Sequence, residues 1–406
     1  MRSWSDSRHQ AGALLTLLVI AACPRPSAMV SSSRAESLTS GRAPRSSIAR
    51  DAQGAQAQIL RGRALVIDHA CSGCHSGVLD PGGDGYLAGI RDTVGQFTIE
   101  GFKTRPRNLT PDNETGLGRF SERQIFNALR YGLRPGETPD VEITSTTPGE
   151  GNFPARPKYL APPMPWQDWR HLSDQELRDI VAYLKGAVKP VKNKVLDSEG
   201  PPDFWAAHWA ALIGPYPAAA FPTANEVGAA TDEQLRRGRT LVITHACGDC
   251  HGGYDNPAAD GWLVGARAPT DTFMAGPFIT RPRNLTPDNE TGLGRFTERQ
   301  IFNALRYGLR PGETPDVEIT SMTPGQGNFP ARPKYLAPPM PWPAWRHMSD
   351  QELRDIAAYL KRGLKPVKNK VPDSEGPPDF WASGYTVQNI GPYPASAYPT
   401  KNEKTP

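Results

Sequence analysis

Cys71, Cys74 and His75 in the stretch HACSGCHSG, and Cys247, Cys250 and His251 in HACGDCHGG, set two thiols and an imidazole at one spacing twice in a single chain. Two thiols three positions apart can add to the vinyl groups of a porphyrin, and a histidine directly after the second is then placed to bind its iron from one face. Cys-x-x-Cys-His is the attachment sequence for c-type haem. A zinc ribbon would want its Cys pairs about 15–20 residues apart, and a thioredoxin-like dithiol would want a βαβ setting. Simple disulfides would leave the two histidines unexplained. The motif therefore predicts two covalently bound haem c groups with His75 and His251 as iron ligands.

The opposite ligand is a choice between methionine and histidine. Of seven methionines, Met1 and Met29 precede the repeated region, and Met274, Met322 and Met348 have no methionine at the matching site of the first copy. Met164 and Met340 alone match, each inside APPMPW. Thioether opposite imidazole raises the potential of haem iron, and the flanking prolines lower the entropy lost in holding the sulfur. His171 and His347, in WRHLSD and WRHMSD, are the competing ligands. His69 and His245 precede the first cysteine by two residues and should stay on the attachment side as packing or propionate neighbours. His208 has no twin, and His9 lies in the leader. Arg105, Arg107 and Asn108, with Arg281, Arg283 and Asn284, are read either as haem-propionate partners or as solvated polar groups. Trp166, Trp169, Trp342 and Trp345 are expected to cover the haem edge and exclude water.

A tandem repeat positions these residues. His75 and His251, Met164 and Met340, and Trp205 and Trp381 each lie 176 residues apart, too long a period for a solenoid and suited to two whole domains. Between Thr104 and Lys185 the copy at Thr280 to Lys361 is nearly identical, so recurrence there proves little. Between Ile59 and Lys103 the copies have drifted, yet the cysteines and histidine survive.

Each copy offers three helices: one running into the cysteine motif, with a Thr231/Gln234 capping box in the second copy; one opened by Ser121/Gln124 and Thr297/Gln300; and one opened by Ser173/Glu176 and Ser349/Glu352. Nothing reads as a regular sheet, and the proline runs must be extended loops. The expectation is an all-α fold with long ordered Pro-rich loops, divided into a leader (1–23), a flexible tether (24–55) and two domains (56–228 and 229–406).

The 406 residues suffice for two or three domains. Proline (42) and glycine (39) make up about a fifth of the chain, which fits the loops, and a net charge of +4 without basic blocks implies no nucleic-acid partner. The run AGALLTLLVIAA (11–22) after Arg2 and Arg8 is a short export signal, too short to span a bilayer. It ends IAAC, resembling a bacterial lipoprotein signal in which Cys23 becomes the lipidated first residue. Cleavage after Ala28 would instead discard Cys23. Either route exports the chain to the periplasmic side.

With these residues in view the chain resembles tandem class I cytochromes c. The blocks NLTPDNETGLGRFSERQIFNALRYG and MPW…LSDQELRDIVAYLK are similar to the domains of multihaem cytochrome subunits serving bacterial membrane-bound alcohol and gluconate dehydrogenases. The resemblance spans roughly Ile59–Trp205 and Leu235–Trp381. It implies attachment at Cys71, Cys74, Cys247 and Cys250, proximal His75 and His251, and distal Met164 and Met340. Those subunits usually carry three haems and this chain has two motifs. The DFW…IGPYPA tails are additional.

The resulting expectation is a dihaem electron carrier, not an enzyme itself, linking a dehydrogenase or other donor to a respiratory acceptor, with two similar potentials. The alternatives are a dihaem enzyme of peroxidase or thiosulfate dehydrogenase type, which needs two unlike haems, and a haem-based sensor or structural haem protein.

Overall fold

A computed structural model describes residues 47–405 apart from 92–94, 100–101, 201–205, 207–208, 210–211, 276 and 377–380. The leader with Cys23, most of the tether, His9, Met1, Met29, Trp205 and His208 lie outside the described residues.

The first helix, α1 (Ser47–Asp68), begins inside the segment expected to be tether. The stretch AQGAQAQ explains this, because Ala and Gln are strong helix formers. A short turn, α2 (Cys71–His75), carries the cysteine motif. Helices α3 (Glu122–Tyr131), α4 (Trp166–Trp169) and α5 (Asp174–Ala182) follow, and α5 ends in one π turn at Tyr183–Ala187. The second half repeats the series as α6 (Glu233–Thr244), α7 (Cys247–His251), α8 (Glu298–Tyr307), α9 (Trp342–Trp345) and α10 (Asp350–Ala358).

The boxes at Ser121/Gln124, Thr297/Gln300, Ser173/Glu176 and Ser349/Glu352 all form. The box expected at Thr231/Gln234 does not. Asp232 caps α6 instead, accepting from the Leu235 amide at 3.1 Å, since a carboxylate one position later reaches the free amides at the helix start better than the threonine hydroxyl.

Each half also contains a hairpin that the sequence reading missed: β1 (Phe97–Ile99) pairs with β2 (Phe102–Thr104), and β3 (Phe273–Ala275) with β4 (Phe278–Thr280). Three-residue strands are too short to show an alternating pattern.

Helix α1 crosses α5, and α6 crosses α10, at glycine. A Cβ on Gly62 would stand 1.8 Å from the Asp179 carbonyl oxygen, and one on Gly238 would stand 2.0 Å from that of Asp355. The close approach lets Leu177, Ile180 and Val181 join Ile59 and Val66 in the first core, while Leu353, Ile356 and Ala357 join Val242 and Ile243 in the second. Arg61 and Arg237 clamp the crossings through Asp179 and Asp355 at 2.6 and 2.7 Å.

The tails exchange partners. Glu226, in the tail after the first copy, is buried against the second half, bonded by Arg239 at 2.7 Å and the Tyr359 hydroxyl at 2.6 Å. Glu403, near the end of the chain, occupies the matching place on the first half, bonded by Arg63 at 2.6 Å and the Tyr183 hydroxyl at 2.6 Å. The boundary expected at 228/229 therefore cuts through a packed unit: Ala218, Phe221, Thr223 and Glu226 pack on the second half and Ser396, Tyr398, Thr400 and Glu403 on the first, while Tyr216 and Tyr393 stay with Arg130 and Arg306 of their own halves.

Candidate functional site

Helix α1 closes with the His69 and Ala70 amides bonded to Leu65 and Ile67 carbonyls at 3.1 and 3.0 Å. Ala70 then adopts a left-handed conformation (φ 55°), as Ala246 does in the second half (φ 56°). A non-glycine residue pays a steric penalty there, and the bend turns the Cys-x-x-Cys-His segment across the end of its helix.

In each half the turn faces a cavity. Cys71, Cys74, His75 and Met164 line it on the first side, Cys247, Cys250, His251 and Met340 on the second, and the two spaces join into one cavity of about 3580 Å³. All four thiols are free. Burial pushes the Cys71 and Cys250 thiols up to about 12, and raises Cys74 and Cys247 as well, so they stay protonated. Met164 packs on the same core as Cys71, and Met340 on the same core as Cys247.

The histidine rings are oriented by backbone. His75 Nδ1 lies 2.7 Å from the Arg107 carbonyl and His251 Nδ1 2.6 Å from that of Arg283. Each Nδ1 is thereby the donor and Nε2 keeps its lone pair, the arrangement usual for a metal-binding imidazole. Burial lowers the pKa of both rings, favouring the neutral, ligating form. Free thiols, an oriented Nε2 and a thioether on one cavity fit the requirements of a c-type haem in each half.

Other candidates sort by position. His171 does not line the cavity; its Nε2 lies 2.9 Å from Asp255 of the other half, and His347 sits beside Tyr393. Met274 and Met322 are exposed, and Met348 is core. Trp169 and Trp345 line the cavity as expected, but Trp166 and Trp342 do not. They stack on Tyr159 and Tyr335 and cover Gly132 and Gly308, where a Cβ would meet the indole at 2.2 Å. The reading of those two as haem-edge covers is corrected.

Asn108 and Asn284 are also structural: their amides bond Thr115 and Val191, and Thr291 and Val367. Arg107 reaches the Val195 carbonyl and Asp197, and Arg283 the carbonyls of Val371 and Pro372. Arg105 bonds Glu199, Gln96 and the Asp197 carbonyl, and Arg281 bonds Glu375 and the Asp373 carbonyl. The Nε atoms of Arg105 and Arg281 alone among these groups are buried without a partner among the described residues.

Sequence reasoning missed the seam between the halves. His69 and His245 line the joint cavity and stack on each other with centroids 4.2 Å apart. Their Nδ1 atoms face the Leu65 and Leu241 carbonyls at 2.9 Å, leaving both Nε2 atoms buried and unpartnered. With Asp68 they offer ligand atoms within 4.8 Å of one another. Arg170 forms a buried bond of 2.6 Å with Asp255, and Gln167 bonds Asp249 at 2.8 Å. Asp168, fully buried beside Asp249, has its pKa raised by burial and by that second carboxyl. The helix starts gave no hint of these contacts because each joins residues more than 80 positions apart.

No family model matches the chain. A search of curated proteins finds relatives. The gluconate 2-dehydrogenase cytochrome c subunit of Pantoea cypripedii is 29% identical over 343 residues, covering 79% of this chain and 63% of the relative. The cytochrome c subunit of the quinone alcohol dehydrogenase of Gluconobacter oxydans is 26% identical, over 75% of this chain and 55% of the relative. The fructose dehydrogenase cytochrome subunit of Gluconobacter japonicus is 28% identical, over 62% and 45%. The chain thus spans less than two thirds of the length of these relatives. Over most of its own length it is similar to the cytochrome c subunits of bacterial dehydrogenases.

Proposed function

We propose that this chain is a dihaem c-type cytochrome that passes electrons from a membrane-bound or periplasmic dehydrogenase towards a respiratory acceptor, exported and tethered on the periplasmic side through Cys23. The observation that carries the proposal is that two Cys-x-x-Cys-His turns open into one cavity that also holds Met164 and Met340. Each half is read as a cytochrome c-like domain.

Haem bound at each turn would supply a one-electron iron centre. The chain's own groups do the rest. Cys71 and Cys74, with Cys247 and Cys250, provide thioether carbon–sulfur bonds. The Arg107 and Arg283 carbonyls hold the imidazole rings of His75 and His251. Met164 and Met340 offer sulfur from loops stiffened by proline, and thioether ligation favours the reduced state. Trp169 and Trp345 line the cavity with apolar surface. If His75 with Met164 and His251 with Met340 held the two groups, they would supply one-electron transfer rather than peroxidase or thiosulfate chemistry.

The reading is tested by mixing the oxidised holoprotein with a membrane dehydrogenase and its sugar or alcohol substrate. Stoichiometric reduction of both centres supports it, and rapid turnover of hydrogen peroxide or thiosulfate by the protein alone contradicts it. Replacing Cys23 by Ser should move the protein from the membrane to the soluble periplasmic fraction.

A further inference from the structure

One corner of the seam breaks the symmetry of the repeat. Between Thr104–Lys185 and Thr280–Lys361 the copies differ at only a handful of positions, and two of these are adjacent: Gln167-Asp168 stand where the second copy has Pro343-Ala344. The residue facing them across the seam differs too, Asp249 standing where the first copy has Gly73. Three polar side chains thus meet at one corner and none at its mirror.

All of the unsatisfied atoms here are acceptors. Asp168 Oδ1 and Oδ2, Asp249 Oδ1 and Gln167 Oε1 are buried without a hydrogen-bond partner among the described residues, and Asp168 is 0% exposed. The Asp168 carboxyl lies against that of Asp249, whose other oxygen takes the Gln167 amide at 2.8 Å. The nearest cation is committed elsewhere: Arg170 bonds Asp255 at 2.6 Å, the Gly214 carbonyl at 2.6 Å and the Gln167 carbonyl at 3.2 Å. Buried acceptors without donors are rare in folded proteins and call for an occupant. Carboxylate and amide oxygens with no nitrogen or sulfur among them suit a hard cation.

We propose that Gln167, Asp168 and Asp249 form a binding site for one hard divalent cation of the calcium class, which ties the segment after the Met164 loop to the Cys247–His251 turn. The remaining ligand positions fall to water, which reaches the site from the joint cavity that Gln167 and Asp249 line. Because its ligands come from both halves, the ion fixes the seam.

The test uses the haem-loaded full chain treated with EGTA and then titrated with calcium chloride, followed by calorimetry, elemental analysis and thermal unfolding. The expected result is one calcium per chain and, at about one hundred times the Kd, a rise in Tm of roughly 5 °C. Asp168→Ala installs the residue already present at Ala344 in the twin packing, so it should fold with an unchanged haem spectrum, bind no calcium and lose the Tm response. Asp249→Asn should weaken binding at least tenfold while keeping the side-chain shape. Undiminished calcium in Asp168→Ala overturns the proposal. So does a wild type indifferent to calcium and magnesium with Asp168→Ala more stable throughout, the signature of a proton shared between two carboxyls.

Discussion

His69 and His245 stack face to face across the seam, centroids 4.2 Å apart, with Trp169 and Trp345 edge-on at 6.3 and 6.4 Å on the outer sides. Each imidazole stands two residues before the first cysteine of its Cys-x-x-Cys-His turn, so the pair brings the two turns together at the joint cavity. The two rings are shifted in opposite directions. Burial opposes protonation of His69, but Asp68 at 2.6 Å outweighs it and raises its pKa, whereas burial and the His69 charge hold His245 down at about 3.

That depression has a pH consequence. The unfolded chain binds a proton at His245 below about pH 6.5 while the folded chain does not until about pH 3, so acidification through this window favours unfolding. From pH 6.5 to pH 4 the wild type should lose roughly 3 kcal/mol more stability than His245→Phe, taking about 1.4 kcal/mol per pH unit. Urea unfolding of both proteins at several pH values measures it, and parallel pH profiles would contradict it.

Glu403 predicts a latch. Burial raises the carboxyl pKa, but the bonds from Arg63 and Tyr183 outweigh this and hold it below the usual carboxylate range. Its contribution is therefore present above about pH 4.5 and lost only as the pH falls below that value towards the depressed folded pKa. Glu403→Ala should cost about 3–5 kcal/mol at neutral pH by leaving Arg63 buried without its carboxylate. Hydrogen exchange should show residues 396–405 and the facing surface of α1 losing protection first. Uniform loss across the second half would count against the latch.

Met164→Ala and Met340→Ala should each lower the potential of one centre and remove its sulfur-to-iron charge-transfer band, leaving the other unchanged. His171→Ala should alter neither spectrum, since that ring is held by Asp255. Redox titration with optical detection decides between methionine and histidine.

Gly238→Ala should destabilise the second half by at least 1–3 kcal/mol, on the scale of overpacked cores, because its Cβ would meet the Asp355 carbonyl at 2.0 Å. Gly54→Ala, on the same face-exposed helix type with open space around it, should be neutral or slightly stabilising. Thermal unfolding of both variants measures the contrast.

Local chemistry was readable in the sequence, and long-range partnership was not. The cysteine turns and four of the five capping boxes depend on residues close in sequence and form as the spacing suggests, while Met164 and Met340, matched only through the repeat, line the same cavity as the turns. The two IGPYPA tails were visible as copies, but their similarity cannot say which half each one covers; Glu403 finds Arg63 at a separation of 340 residues. Trp166 follows Met164 by two residues, yet its indole covers Gly132 rather than the cavity. The Asp168 and Asp249 corner is not legible in the sequence because Asp249 fills a variable position of the cysteine motif and Asp168 stands 81 residues away.

The most direct measurement is the intact mass of protein purified from an export-competent host with haem-attachment machinery, together with its alkaline pyridine spectrum. Two covalent haem additions per chain, one lost in Cys71→Ala/Cys74→Ala and the other in Cys247→Ala/Cys250→Ala, are expected. A colourless protein, or pigment extracted by acidified organic solvent, would contradict the account.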